Sequence, residues 1–447
     1  MGESFESFKG SRDTHSALYH YAADKQYAGT NAWNVDNNGN VNTNNKYNGN
    51  LAVPASDYDR FNGAEASFSS FWDAYRSCQR NKRGTCNAIE FSLNAVRNTA
   101  RLWSDAVRGR YKIGRSICFV VERPVRREVF AASFRDRIIH HWIAARVEPL
   151  FEEHLFPCMK SNRKDKGTLD AIHEVYDNIV TVSDGYTRDA WIYKFDLRGF
   201  FMSISKTQLA AKLDSFLRER YAGDDKALLL ELTQRVVLHR PERYCLRKCP
   251  REMWDALPPE KSLFGQDGNH GIAIGNLTSQ MFANFLLRDA VAFIRDSGFP
   301  HVTEYVDDFV IVHKDKGVIL GFIPELRAYL KNELGITLHP RKSYIQHYTK
   351  GAAFVGGIIR PHRTYLSRRT CRNARLRVNW ACRHGVPLEK VAATVNSYLG
   401  AARRFTAYKF RREIADMVLA SPCGHAVWFT NNCNTMKIKK QYRYANQ

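Results

Sequence analysis

The sequence lacks any long, uninterrupted run of apolar residues. Charged residues interrupt every apolar stretch of the 447-residue chain well before the roughly 20 residues that a membrane-spanning helix needs. The first residues, MGESFESFKGSRDTH, contain no apolar signal-peptide core. With 44% hydrophobic residues, the chain can form two or three packed units and is not wholly disordered. We therefore expect a cytoplasmic protein with no membrane partner.

Cysteine is also scarce. The 447-residue chain contains ten cysteines, spread irregularly along it. This distribution excludes a disulfide framework and fits a reducing compartment. Cys245 and Cys249, together with Cys423 and His425 far downstream, are candidate zinc ligands. Structural zinc sites usually contain two closely spaced ligand pairs, so ordinary reduced thiols are the favoured interpretation.

Acidic residues are nearly missing from the C-terminal part of the chain. Residues 361–447 contain 17 Lys and Arg against three Asp and Glu, so +14 of the total charge of +22 lies there. A polyanion is the natural ligand of such a segment. Arg-rich stretches with interleaved apolar residues, at Ser367–Trp380 and Ala401–Arg412, predict helices with one packed face and one basic face. The alternative is that these faces are merely solvated.

The remaining patterns predict an α+β fold after a polar head. Residues 1–60 are turn-rich, and Asn31–Asn50 contains ten Asn in twenty residues, which cannot bury a core by itself. Periodicity then predicts two types of element. The predicted strands and hairpins are Tyr111–Glu122, Ala190–Phe195, the hairpin Val302–Val312 and the hairpin Phe354–Ile359. The predicted helices are one around Ile138–Phe151, Asn276–Gly298 capped by Thr278 or Ser279, and Pro324–Leu334 ending at Gly335.

Three carboxylates stand out among these elements. Asp196 follows a predicted strand, and Asp307 and Asp308 lie at the tip of a predicted hairpin. They converge if their strands are neighbours in one antiparallel sheet. Carboxylates so close together repel one another, and hard oxygen ligands select Mg²⁺ or Mn²⁺. Two such ions promote in-line phosphoryl displacement, so the cluster indicates nucleotidyl transfer. Asp307 and Asp308 alone would more often form a surface turn, but their apolar flanks favour a packed hairpin.

Three motifs resemble the catalytic palm motifs of reverse transcriptases in order and approximate spacing. They are FDLRGFF at 195–201, GNLTSQ at 275–280 and YVDD at 305–308. The resemblance extends to RREVFAASFRDRIIHHW at 126–142, SNRKDKGT at 161–168 and HPRKS at 339–343, and so covers about 123–420. It implies a right-hand polymerase fold: an extension at 1–60, fingers at 61–190, a palm with an antiparallel sheet at 191–360, a basic helical thumb at 361–425 and a basic tail at 426–447.

The resemblance also implies roles for individual residues. Asp196, Asp307 and Asp308, with the Leu197 carbonyl, correspond to the ligands of the Mg²⁺ or Mn²⁺ ions. Phe201 corresponds to the aromatic residue beneath the sugar, which excludes a ribose 2′-hydroxyl, although it could be an ordinary core residue. Arg163 corresponds to the fingers residue that holds the triphosphate, where Lys164 and Lys166 either assist or are simply solvated. Lys342 corresponds to the lysine that protonates departing pyrophosphate.

IGNLTSQ departs from most of the family, which has Gln before the glycine and Ser-Pro at the end, and is similar to the motif in reverse transcriptases of diversity-generating retroelements of bacteria and phages. This resemblance implies cDNA synthesis from a template RNA with errors at adenines, and a small basic accessory protein as partner. Ile274 would loosen base discrimination in a nucleotide site that includes Gly275, Ser279 and Gln280, unless its side chain serves only packing. The Asn-rich head resembles variable ends of the target proteins of such elements, or is a linker.

Other functions remain alternatives. A reverse transcriptase of an antiviral defence system would share the same palm chemistry. A non-catalytic RNA-binding scaffold is disfavoured because all three acidic positions are Asp, and an RNA-making polymerase is disfavoured by Phe201. An appended nuclease is disfavoured because only three acidic residues follow Pro361. The expected partners are thus template RNA, the cDNA or primer, and dNTPs.

Overall fold

The computed structural model describes residues 66–80, 84–122 and 125–442. The Asn-rich head and the end of the basic tail lie outside these residues. Within them, no helix combines the length and apolar character that a membrane crossing requires. All ten cysteines are free thiols.

Helices make up much of the described chain. The N-terminal group is α1 Phe68–Arg80, α2 Cys86–Leu93, α3 Ala95–Val107, α4 Phe134–His154 and α5 Thr168–Val182. The middle group is α6 Phe200–Ser203, α7 Lys206–Arg220, α8 Lys226–Leu238, α9 Glu252–Asp255, α10 Leu277–Asp296 and α11 Lys316–Leu334. The C-terminal group is α12 Arg368–Arg383, α13 Leu388–Ala402 and α14 Tyr408–Leu419.

The strands form four described sheets. The largest contains β3 Trp191–Arg198, β5 Val302–Tyr305, β6 Asp308–His313, β7 Thr337–Leu338 and β8 Tyr344–His347; its order is β5-β6-β3-β7, with β8 also paired to β3. A second has the order β2-β1-β4, from β1 Ser116–Val121, β2 Arg127–Ala131 and β4 Cys245–Arg247. The others are β9 Ala352–Phe354, β10 Gly357–Arg360 and β11 Arg363–Leu366, and the pair β12 Val427–Phe429 and β13 Met436–Ile438. Every pairing is antiparallel except β1 with β4.

The largest sheet is buried on both faces because its central strands are apolar on both. On β3, Tyr193, Phe195 and Leu197 belong to the main helical core, whereas Ile192 packs in a second cluster with α5 and the β9–β10 hairpin. Val310 on β6 joins that second cluster. The fold is α+β, as predicted, and the segment predicted as the palm contains an antiparallel sheet.

Several predicted boundaries differ from the structure. The strand within 111–122 begins only at Ser116. Thr278 and Ser279 lie inside α10, and Asn276 is its N-cap. Helix α11 begins eight residues before Pro324, because the Asp315 side chain accepts hydrogen bonds from the backbone N–H groups of residues 317 and 318 and caps it there; its end at Gly335, with φ of 67°, is confirmed.

The predicted basic helices are partly wrong. Ala401–Arg412 contains a turn between α13 and α14 instead of one helix. On α12, Val378 is buried, but Leu376 and Trp380 are 59% and 52% exposed, so this apolar set does not form one packed face.

The described chain divides into two compact units. The larger consists of residues 66–375 and 402–410, and the smaller of residues 376–401 and 411–442. The predicted fingers and palm segments both lie in the larger unit, and residues from both contribute to its main core. The boundaries of fingers, palm and thumb stay predictions.

Candidate active site

Two of the three predicted carboxylates are direct cross-strand neighbours. The antiparallel register places Asp196 of β3 opposite Asp308 of β6. The next cross-strand pair is Phe195 of β3 and Phe309 of β6, whose rings stack with centroids 5.0 Å apart. This contact is worth about 0.5–1.5 kcal/mol and helps to fix the register. The backbone N–H of Leu197 donates to the Asp307 carbonyl at 3.0 Å. The predicted convergence of the carboxylate-bearing segments in one antiparallel sheet is confirmed.

The hairpin tip between β5 and β6 has a strained backbone. Val306 has φ of 60°, a left-handed conformation that is rare for a β-branched residue. Asp307 follows it, and burial together with the negative charges of Asp196 and Asp308 raises the pKa of Asp307 to about 6. The pKa is raised because ionised carboxylates close to one another disfavour a further negative charge.

Two lysines neutralise this cluster. Lys194 Nζ lies 2.8 Å from Asp308 Oδ1, and Lys342 Nζ lies 2.8 Å from Asp196 Oδ2. Among the described residues, no three His, Cys, Asp or Glu side chains are arranged to hold one metal ion. The donors on this face are carboxylate oxygens, the hard ligands that Mg²⁺ and Mn²⁺ prefer, and two of the carboxylates are paired with Lys194 and Lys342. Leu197, the predicted backbone ligand, is buried beside them.

Lys194 is a site residue that the motif comparison missed. Alternation along β3 puts positions 194 and 196 on the same face, so the signal was present in the sequence. Arg127 on β2 was also missed as a site residue; its positive charge lowers the pKa of Asp307, opposing the increase caused by burial.

The side chain of Arg163, the predicted triphosphate ligand, is engaged in contacts within the protein. Its guanidinium is 6% exposed and pairs with Glu152 Oε2 at 2.8 Å. It also donates to the carbonyls of Phe156 and Met159, at 2.6 and 3.0 Å. These contacts tie the loop after α4 to the end of that helix. The two nearby lysines are more accessible than the Arg163 side chain: Lys164 is exposed and Lys166 is half-buried.

The predicted nucleotide-pocket residues come together beside β2. The Ile274 carbonyl accepts from the Phe130 N–H at 2.9 Å, and Phe201 and Ile274 pack against the same small apolar cluster. Gly275 has φ of 115°, and a Cβ there would lie 2.7 Å from Val129 Cγ1, so only glycine fits.

The last two predicted pocket residues lie on α10. Ser279 is buried and Gln280 is half-buried in the first part of that helix.

A buried acid lies behind the hairpin. Glu304 on β5 is fully buried, and burial raises its pKa to about 8. Ser161 Oγ lies 3.2 Å from Glu304 Oε1 and 2.9 Å from Asn284 Oδ1, and its single hydroxyl hydrogen can be donated to one of them at a time. Glu304 Oε2 has no hydrogen-bond partner. The sequence signal for this position is one charged residue in a short strand, Val302–Tyr305, that is otherwise uncharged.

No protein-family model matches the sequence, and no curated protein matches it. Solved structures similar to this one include telomerase from Candida albicans in complex with the TWJ fragment of telomeric RNA, with 13% identity and a TM-score of 0.40. Two structures of apo telomerase from Candida tropicalis are also similar, with 9% and 12% identity and TM-scores of 0.43 and 0.41; the second is truncated from its C-terminal domain.

The three similarities cover 72%, 72% and 57% of this chain. They cover 62%, 66% and 55% of the telomerase chains, so this chain spans less than two thirds of each. The fold itself is α+β, built around a five-stranded antiparallel sheet. This sheet carries one Asp on its central strand β3 and an Asp pair on the adjacent β5–β6 hairpin.

Proposed function

We propose that this protein is an RNA-directed DNA polymerase that makes cDNA from a template RNA. One observation carries the proposal: Asp196 and Asp308 are cross-strand neighbours, and the charge of both raises the pKa of Asp307. Such a group of acids on one face is suited to bind divalent cations and to act on a phosphoryl group.

The metal site would consist of Asp196, Asp307 and Asp308, with the Leu197 carbonyl as an additional ligand. When bound, two Mg²⁺ or Mn²⁺ ions would activate the attacking hydroxyl and stabilise the leaving oxygen. Without the metal ions, Lys194 and Lys342 form ion pairs with Asp308 and Asp196. Lys342 Nζ, on a side chain that is 58% exposed, is also free to turn and donate its proton to departing pyrophosphate.

The nucleotide pocket would use Phe201, Ile274 and Gly275, with Ser279 and Gln280 on the adjoining helix. The Phe201 ring excludes a 2′-hydroxyl and so favours dNTPs. Arg127 is the better candidate for binding the triphosphate, since Arg163 is committed to Glu152; Lys164 and Lys166 would assist.

Primer extension tests this function. With an RNA template, a DNA primer, dNTPs and Mg²⁺, we expect the wild type to extend the primer. Asp308→Asn should reduce the rate by at least about a thousandfold, because it removes a carboxylate from the cluster. Asp177→Asn, at an exposed position on α5, is the matched control and should retain activity. A wild-type protein that binds the duplex but adds neither dNTPs nor NTPs would instead support a non-catalytic scaffold.

We further propose mutagenic copying in a retroelement of the diversity-generating type, in the cytoplasm and with a small basic accessory protein. Ile274 supports this role, because its aliphatic side chain offers no hydrogen bond near the templating pair. Sequencing of cDNA made in cells tests the subtype: errors concentrated at template adenines are expected. Evenly distributed errors, or a gene neighbourhood without a template repeat, would favour a defence role instead.

A further inference from the structure

The α4–α5 loop, residues 155–167, pairs with the edge of the sheet that carries the three carboxylates. Met159 forms a parallel bridge with Glu304 of β5. The Glu304 N–H donates to the Cys158 carbonyl at 3.0 Å, and the Lys160 N–H donates to the Glu304 carbonyl at 3.0 Å. Because β5 is the first strand in the order β5-β6-β3-β7, this bridge covers its outer edge.

The bridge lies in one row of paired residues across the sheet. Glu304 pairs with Phe309 of β6, and Phe309 pairs with Phe195 of β3. The adjacent row contains Asp308 and Asp196. Neighbouring strands lie about 4.8 Å apart, so the bridge is roughly 10 Å from the strand that carries Asp308. Backbone hydrogen bonds therefore set the position of the loop relative to the carboxylates.

Three buried side chains reinforce this bridge. Asn284 Nδ2 of α10 donates to the Ser161 carbonyl at 2.5 Å, and Ser161 Oγ lies 2.9 Å from Asn284 Oδ1 and 3.2 Å from Glu304 Oε1. Burial raises the pKa of Glu304 to about 8, which favours its protonated form at pH 7. Protonated Glu304 can donate to Ser161 Oγ while Ser161 donates to Asn284. We call Ser161, Asn284 and Glu304 the loop anchor.

The loop is buried at its base and accessible further along. Lys160, next to the loop anchor, is 4% exposed, and its Nζ pairs with Asp170 at 3.1 Å and Glu174 at 2.8 Å, both on α5. A few residues later, Lys164 is exposed and Lys166 is half-buried. The base of the loop thus has fixed partners within the protein, whereas the two later lysines are accessible to a ligand.

We propose that the loop anchor positions Lys164 and Lys166 for the triphosphate of a nucleotide bound at the three carboxylates. The anchor side chains are buried and act through the loop instead of contacting the nucleotide. Loss of the anchor therefore weakens nucleotide binding and leaves unchanged the chemical step, which depends on the carboxylates. The proposal rests on the proposed function, because it takes an incoming dNTP as the ligand.

Single-turnover incorporation at varied dNTP concentration tests the proposal, because it separates the apparent Kd for the dNTP from the maximal rate. Glu304→Met and Ser161→Ala each remove hydrogen bonds of the loop anchor. We expect each to raise the apparent Kd about fivefold, with a maximal rate within about twofold of wild type. Glu304→Gln should keep the wild-type Kd, because its amide can donate to Ser161 Oγ in place of the carboxylic acid.

Thr303→Val is the matched control on β5. Thr303 is buried and accepts from Asn178 Nδ2 at 3.2 Å, so the variant removes a hydrogen bond of β5 that does not involve the loop. We expect a lower melting temperature and an unchanged apparent Kd. In protein that already carries Lys164→Met and Lys166→Met, Ser161→Ala should have no further effect on the apparent Kd, since the anchor acts through these two lysines.

A wild-type apparent Kd in both Glu304→Met and Ser161→Ala would overturn the proposal. An equal increase in Thr303→Val would overturn it too, because the effect would then come from general loosening of β5. Hydrogen–deuterium exchange of residues 155–167 provides a readout without catalysis: the Lys160 amide should lose protection in the two anchor variants and keep it in Thr303→Val.

The two measurements separate this proposal from the proposed function. If wild type adds no nucleotide but the expected exchange pattern is found, the polymerase is contradicted and the loop anchor still holds the loop. If wild type adds nucleotides and neither the apparent Kd nor the exchange changes in the anchor variants, only the loop anchor is contradicted.

Discussion

Replacement of Glu304 by Gln should remove a pH-dependent cost to folding. Glu304 is fully buried on β5, and burial raises its pKa from 4.5 to about 8. The folded protein therefore binds this proton more tightly than the unfolded chain does. Stability from this group is complete below pH 4.5 and is lost progressively as the pH rises towards 8.

The magnitude follows from proton linkage. Between the two pKa values, one proton is taken up on folding, so the free energy of unfolding falls by about 1.4 kcal/mol per pH unit. Between pH 5.5 and 7.5 the loss is on the order of 3 kcal/mol. A neutral glutamine at this position has no such dependence.

Urea unfolding of both proteins at several pH values measures the effect. We expect the free energy of unfolding of wild type to fall relative to that of Glu304→Gln, by on the order of 3 kcal/mol between pH 5.5 and 7.5, because other titrating groups cancel in the comparison. A difference between the two proteins that does not change with pH would refute the assignment of Glu304 as a buried, protonated acid.

Three further substitutions test the site. Phe201→Val should reduce the preference for dNTPs over NTPs at least about tenfold in competitive incorporation, because the ring no longer fills the 2′-hydroxyl position. Gly275→Ala should destabilise the protein by about 2 kcal/mol or more in thermal unfolding, since φ is 115° and the new Cβ would lie 2.7 Å from Val129. Lys194→Met removes the ammonium that pairs with Asp308, so the Mg²⁺ concentration for half-maximal primer extension should fall; an unchanged or higher requirement would contradict competition between Lys194 and the metal.

The sequence predicted the elements whose signals are local. Alternating apolar residues on both sides of an Asp pair predicted the β5–β6 hairpin. The stacked rings of Phe195 and Phe309 help to fix the register of β6 against β3. Helix α11 is longer than the predicted Pro324–Leu334 and begins at Lys316. Proline is tolerated here within the helix, and the Asp315 cap earlier in the chain sets the true beginning.

The sequence alone does not predict which partners the charged side chains contact. No motif indicates that the Arg163 guanidinium pairs with Glu152 at 2.8 Å, because this depends on how the loop after α4 folds back. Lys194 is different, since strand alternation alone puts it on the face of Asp196. The pKa of Glu304 could not be anticipated either, because it depends on burial by segments more than a hundred residues away, such as the one containing Ser161.

The most direct test of the central claim is single-turnover incorporation of one dNTP on an RNA template by wild type and by Asp196→Asn, Asp307→Asn and Asp308→Asn. If the three side chains form one metal site, wild type adds the nucleotide only when a divalent cation is present, and each variant is slowed by at least about a thousandfold. Incorporation at the wild-type rate by any of the three variants would contradict the claim.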